Sequence, residues 1–468
     1  MKKFRIFPML LTLCLIFSVF SPCALALEDP ELNAKAAILV DLDSGRVLYE
    51  LNSTDTRAPA SLTKIMTVLL ALDAVEAGRA DLETMITAQD DCRYGMDEDS
   101  STAGIQPGVT LSLRELLYCA MLKSANEACN IIGSYLSGSV SAFVTEMNQK
   151  AAALGCVNTQ FKNPNGLSAE GHYTCAYDLY LITAAALRHP FFIELCNTKS
   201  YQSASPYVNG GEPMYNSNAL ISAQSDYGST YLYEYASGVK TGYTRAAGYC
   251  LVSTALKDGV HVLSVVMGCD GWLNAQIEEY KNFSDTITLF DWGFDNFSYR
   301  QVMDTNEAIT KVDVELAQNE DQVTLYPQSD VSLLLPNDMD LSELERSVIV
   351  YSDRLVAPIE AGSVLGEATL YLDKNAVATV RLVNNSTVEL ARGEYMKQRV
   401  TEFLSRPWVI AVIVILVVFA LAYIVLVTRY RRLRRKHLKE RKLAEKRREE
   451  QKRVAQQDFF DGEWKDLY

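Results

Sequence analysis

Trp408 to Val427 runs for twenty residues without a charge and is built mainly from Val, Ile, Leu and Ala. At about 1.5 Å rise per residue such a helix crosses a hydrocarbon core of ~30 Å. Trp408 stands at its entry and Tyr430 just past its exit, where aromatic rings favour the interface. A buried core helix would not be followed at once by Arg429, Arg431, Arg432, Arg434, Arg435 and Lys436. Those cations place the C-terminal side in the cytoplasm. The expectation is a transmembrane helix over 407–428, a basic cytoplasmic tail over 429–468, and everything before them outside.

The N-terminus supports that topology independently. Lys2, Lys3 and Arg5 precede an apolar stretch from Met9 to Phe20, and Ala24-Leu25-Ala26 offers small residues at a cut site. Basic start, short apolar centre and small-residue site make a signal peptide of 1–26. An uncleaved anchor fits less well, because the apolar run is short for a span. The localisation expected is the cell membrane, single-pass, with the body outside.

Charge follows the same division. Residues 28–406 carry 26 Lys+Arg against 50 Asp+Glu, whereas residues 429–468 carry 15 against 8. A body that acidic repels phosphate backbones, so no nucleic acid is expected as a partner. With 49% hydrophobic and 22% charged residues, collagen-like, coiled-coil and disordered classes are excluded. A length of 468 residues allows two or three domains.

Two of the ten cysteines fall in the signal, and the other eight lie between Cys92 and Cys269. An even count in an exported protein permits disulfides, but a body this large does not need them. Cys119 and Cys250 sit in apolar surroundings and read as small buried residues.

Ala36 to Val40 and Val47 to Tyr49 read as a hairpin turned by Asp43-Ser44-Gly45. A helix is expected from Ser61 to Ala77, apolar nearly all round over Ile65 to Leu72 and so buried. Further helices are expected over 110–123, Asn126 to Tyr135 and Ser141 to Leu154. Val239, Tyr249 to Ala255 and Val260 to Met267 look like strands. Helices between two sets of strands predict an α+β domain whose terminal strands share one antiparallel sheet. From Asn296 the texture changes to short strands at 311–316, 323–326, 331–335, 348–351, 368–372 and 377–383, an all-β unit with neither His nor Cys.

Ser61-Leu62-Thr63-Lys64 opens the first helix, and residues three apart share a helix face. A Ser hydroxyl needs a base, and a partly desolvated Lys can serve as one. Alone the pattern is weak: it turns up by chance about once or twice in a sequence this size, and a capped helix with a solvated Lys looks the same. Ser124-Ala125-Asn126 lies at a joint between helices, where it can face a cleft or merely cap the next helix. Lys240-Thr241-Gly242 lies at the start of a strand; Lys and Thr can hold a carboxylate, although an edge Lys also blocks aggregation.

The three in this order form the signature of penicillin-binding proteins and serine β-lactamases. The chain resembles the low-molecular-mass D-alanyl-D-alanine carboxypeptidases over about residues 28–395. Pro59 to Lys64 looks like their nucleophile segment. Asn163-Pro164-Asn165-Gly166-Leu167, with Tyr173-Thr174 and Asp178-Leu179, is similar to a second. Gly238 to Thr244, then Ala247-Gly248-Tyr249, is similar to their third motif. Ala357-Pro358, Gly362 and Gly366 fall in a unit that resembles their stalk.

The resemblance implies a D,D-peptidase catalytic domain over 28–295, an all-β stalk over 298–393 and a linker over 394–406. It implies that Ser61 attacks the carbonyl between two terminal D-alanines of a peptidoglycan stem peptide. Lys64 takes its proton, and Ser124 relays one to the leaving amine. Asn126, Lys240, Thr241, Gly242 and Tyr243 bind substrate, with the N–H groups of Ser61 and Tyr243 as oxyanion hole. β-Lactams would be inhibitors by the same route. No cofactor and no metal are implied, and the four His do not pair at zinc-ligand spacing.

Departures from the family pattern are Glu127 where Asp is common, Asn165 where His is frequent, and a long Ile221 to Ser237 stretch. Three alternatives stay open. One is a β-lactamase, which lacks its Glu-x-x-Leu-Asn segment here. Another is a β-lactam or cell-wall sensor signalling through the span. The third is a D,D-transpeptidase or endopeptidase.

Overall fold

The computed structural model describes residues 27–271, 279–319, 321–352 and 354–462. The signal peptide expected over 1–26 lies outside them, as do the last six residues of the tail.

Strands β1 (Ala36–Asp41) and β2 (Val47–Leu51) form the expected hairpin. With β3 (Ala236–Thr244), β4 (Gly248–Lys257) and β5 (Val260–Cys269) they make one antiparallel sheet in the order β2-β1-β5-β4-β3. The ends of the domain sequence thus meet, with Ala36 opposite Met267 and Asp41 opposite Val262. Side chains alternate across a strand. Ile38 and Val40 therefore enter one core and Leu39 the other. Likewise Val252 and Val265 face one side, and Leu251 and Val266 the other. Both faces are covered, which is why these strands read as continuous apolar runs rather than alternating ones.

One face carries a helical cluster. A tight 3-10 turn over Ala60–Thr63 leads into α1 (Lys64–Glu76), which is buried on nearly every side. Each fully buried Leu or Ile there contributes about 1.5–3 kcal/mol. Helix α2 (Leu113–Met121) starts with a reciprocal cap between Ser112 and Glu115. It is followed by α3 (Asn126–Ser137), α4 (Val140–Ala153), α5 (Ala176–Ala186) and α6 (Pro190–Asn197). The other face is covered by α7 (Lys281–Asn296), through Phe283, Leu289 and Phe290. All eight body cysteines are buried and free.

Contacts divide the protein into two compact units. One runs to Val302 and takes in Ser332–Glu343; the other comprises Met303–Val331 and the residues from Leu344 on. Val331–Pro336 is a strand, as expected, but its partner is Phe297–Met303 of the first unit. Its apolar pattern reports a buried strand and not which strand it pairs with. The second unit holds a six-stranded sheet in the spatial order Glu345–Val350, Val364–Leu372, Asn375–Asn384, Gln322–Pro327, Thr310–Glu315, Leu355–Val356. It continues into α8 (Arg392–Leu404) and then α9 (Pro407–Gly462). The apolar part of α9 is long enough to cross a membrane.

Candidate active site

Ser61 sits in the turn before α1, and Lys64 is the first residue of that helix. Lys64 Nζ donates to Ser61 Oγ at 2.8 Å, to Asn126 Oδ1 at 2.7 Å and to the Asn165 carbonyl at 2.6 Å. Its side chain is fully buried, and loss of solvation lowers its pKa from 10.5 to about 8. An amine tuned towards neutrality and touching a hydroxyl can take that hydroxyl's proton.

Ser124 lies between α2 and α3 with φ +58, a conformation that costs a non-Gly residue energy. Its buried Oγ has no hydrogen-bond partner among the described residues and borders the same cleft as Ser61. Asn126 opens α3, with its amide oxygen committed to Lys64.

Lys240, Thr241 and Gly242 fall in the second half of β3. The strand begins at Ala236, earlier than the sequence suggests, because Ser237 and Gly238 resemble turn residues more than strand residues. Lys240 is buried, and its pKa is lowered to about 7, first by lost solvation and then by the charge of Lys64. Thr241 Oγ1 shares a 2.7 Å hydrogen bond with Ser217 Oγ. A Cβ at Gly242 would meet Ser61 N at 3.2 Å and Ala60 Cβ at 3.3 Å, so glycine lets β3 close on the Ser61 turn. Tyr243 is half exposed and stacks on Tyr249 with centroids 4.3 Å apart.

The structure therefore brings the three motifs to one cleft of ≈ 510 Å³. Ser61, Ser124, Asn126, Thr241, Gly242 and Tyr243 line it. Lys64 and Lys240 are not on its wall; both are buried.

Several contributors lie outside the three motifs. Asn165 supplies a backbone carbonyl to Lys64, and its side-chain nitrogen donates to Asn130 Oδ1 at 3.2 Å. Glu127 is buried and gathers one loop on Oε1, which accepts from Thr102 Oγ1 at 2.8 Å and from the N–H groups of Ala103 and Ile105 at 2.7 and 3.3 Å. The carbonyl of Ser101, beside that loop, accepts from Asn126 N at 3.0 Å. Gly166 has φ +89, and a Cβ there would fall 1.8 Å from the Ala60 carbonyl oxygen. Asp226 and Tyr227, from the long stretch before the third motif, also reach the cleft. Glu127 was visible only as a departure from a family pattern, and Asn165 as a departure inside the Asn163–Leu167 segment; a backbone acceptor leaves no side-chain signal at all.

A family model described as D-alanyl-D-alanine carboxypeptidase matches residues 24–271. A second, described as penicillin-binding protein 5, C-terminal domain, matches residues 297–390. The D-alanyl-D-alanine carboxypeptidase DacF of Bacillus subtilis is 30% identical over 369 residues, 77% of this chain and 88% of the relative. DacA of Escherichia coli K12 is 30% identical over 357 residues, 76% of this chain and 83% of the relative. Penicillin binding protein 5 from Haemophilus influenzae superposes with a TM-score of 0.59 at 26% identity, covering 78% of this chain and 100% of its own.

Proposed function

The chain belongs to the D-alanyl-D-alanine carboxypeptidase family, and we propose from that premise how its cleft works. It is a serine-type D-Ala-D-Ala carboxypeptidase that removes the terminal D-alanine from peptidoglycan pentapeptides. The observation that carries the reading is the 2.8 Å contact between Ser61 Oγ and a Lys64 amine whose pKa burial lowers to about 8.

Neutral Lys64 accepts the Ser61 proton as Oγ attacks the carbonyl carbon. Negative charge develops on the carbonyl oxygen, where the N–H groups of Ser61 and Tyr243 receive it. Gly242 supports this by letting β3 lie against Ser61 N. Ser124 Oγ, with no partner among the described residues, gives its proton to the departing D-alanine nitrogen as the C–N bond breaks and takes in its place the one held by Lys64, which is neutral again. Asn126 binds the peptide backbone through its amide nitrogen, since its oxygen is held by Lys64. Thr241, with cationic Lys240 behind it, takes the terminal carboxylate. Water then attacks the ester on Ser61 and its proton passes to Lys64; Lys64 returns that proton to Ser61 Oγ as the ester bond breaks, and the shortened peptide leaves. A β-lactam amide enters the same path and stays on Ser61.

Residues 28–295 form the catalytic domain in this reading, and the stalk is 298–393 without 298–302 and Ser332–Glu343, which group with the first unit. Both stand outside the cell, and the apolar start of α9 spans the membrane. The basic residues after Thr428 support a cytoplasmic tail. A fluorescent penicillin tests the chemistry. The full-length protein in detergent is labelled and its peptides are mapped by mass. The adduct is expected on Ser61, with none in Ser61→Ala; an adduct elsewhere contradicts the reading.

A further inference from the structure

Ala60, the residue before Ser61, has φ +48. A non-Gly residue holds that conformation only where its surroundings enforce it. Gly166 lies so near its carbonyl that a Cβ there would fall 1.8 Å from the oxygen. Thr63 Oγ1 donates to the same carbonyl oxygen at 2.9 Å. His172 Nε2 lies 3.0 Å from Thr63 Oγ1, and the Lys162 N–H donates to His172 Nδ1 at 3.0 Å.

The direction of every proton in this relay follows from its ends. A backbone N–H can only donate, so His172 Nδ1 is the acceptor and the ring is neutral. The ring proton is then on Nε2 and is given to Thr63 Oγ1. The Thr63 hydroxyl keeps its own proton for the Ala60 carbonyl. Burial, with the charge of Lys162, lowers the His172 pKa to about 4, in keeping with a neutral ring. Both side chains are buried, and nothing else in the mechanism uses them.

The Ala60 carbonyl and the Ser61 N–H belong to one planar trans peptide and point in opposite directions. Fixing the carbonyl fixes the N–H. We propose that His172 and Thr63 are positioning residues, whose hydrogen-bond relay to the Ala60 carbonyl aims the Ser61 N–H at the oxyanion. The proposal rests on the reading of Ser61 as nucleophile and oxyanion-hole donor.

The test pairs variants that break the relay with variants that keep it. Thr63→Val keeps the shape and loses the hydroxyl, whereas Thr63→Ser retains it. His172→Leu loses the donor, whereas His172→Gln carries an N–H to about the place of Nε2. Loss of an oxyanion donor outright costs about 10²–10³ in kcat, so misaiming one predicts a fall of roughly 10- to 100-fold. That fall is expected for Thr63→Val and His172→Leu when release of D-alanine by the full-length protein is followed. KM should hold within about twofold, because the interaction acts in the transition state. Thr63→Ser and His172→Gln should stay near wild type. The double variant Thr63→Val/His172→Leu should be no slower than either single one, since both act through one carbonyl. Should one breaking variant fail to fold, the other pair makes the same comparison. An active wild type with an equally active Thr63→Val and His172→Leu, or losses that multiply in the double variant, overturns the proposal alone. A wild type that neither releases D-alanine nor takes penicillin overturns the Ser61 reading and this one with it.

Discussion

Lys64 Nζ reaches Ser61 Oγ across 2.8 Å while its two other nearest acceptors, on Asn126 and Asn165, hold it in that place. An ammonium has three donors, and here three acceptors take them. The nitrogen is thus aligned before it is deprotonated, and loss of its proton turns a donor into an acceptor without any movement.

This alignment predicts a pH profile. The Lys64 pKa is lowered to about 8, so its basic form grows as pH rises through that value. The Lys240 pKa is lowered to about 7, so the cation buried behind Thr241 fades as pH rises through 7. If Lys64 is the base and Lys240, buried behind Thr241, supplies the field for the carboxylate, one limb rises, the other falls, and kcat/KM should be bell-shaped with its maximum between them. Lys240→Gln should lower activity and remove the alkaline limb. A flat wild-type profile from pH 5 to 10 would contradict both assignments.

Gly166→Ala is predicted to damage stability and catalysis together. Its added Cβ would fall 1.8 Å from the Ala60 carbonyl oxygen, and φ +89 is unfavourable for alanine. Destabilisation should exceed about 1 kcal/mol, which lowers Tm by at least about 2–4 °C in a domain of this size. The displaced Ala60 peptide should also slow penicillin acylation. A variant with wild-type Tm and wild-type acylation would show that this contact carries no weight.

Glu127 is predicted to matter as an acceptor. Glu127→Ala leaves the buried N–H groups of Ala103 and Ile105 without their oxygen, at about 1–3 kcal/mol each. The loop should loosen, and Asn126, tied to Ser101 beside it, should hold substrate less well, so KM rises and Tm falls. Glu127→Gln keeps an oxygen in place and should lose much less. Equal losses in the two variants would assign the role to charge instead.

The parts of this protein that were legible in the sequence are those whose chemistry sits in side chains at short spacing. The three motifs show themselves because Ser61 with Lys64, Ser124 with Asn126, and Lys240 with Thr241 each lie within one turn or one strand. The terminal strands were visible through their apolar runs, and the helix after Lys64 through its burial. Helix α5 was not, because its Ala-rich stretch has no polar face to give a period. The start of β3 was hidden by Ser237 and Gly238, and the partner of Val331–Pro336 is a long-range choice that no local pattern records. Asn165 and the Ala60 carbonyl act through backbone atoms, which every residue owns alike. His172 gave no signal beyond being one histidine among four.

The central claim is that Ser61 opens the terminal D-Ala-D-Ala bond, and released D-alanine measures it directly. The full-length protein in detergent should free D-alanine from a pentapeptide ending in D-Ala-D-Ala, with Ser61→Ala inert under the same conditions. Release that persists in Ser61→Ala, or a wild type that binds penicillin on Ser61 and yet frees no D-alanine, would contradict the account.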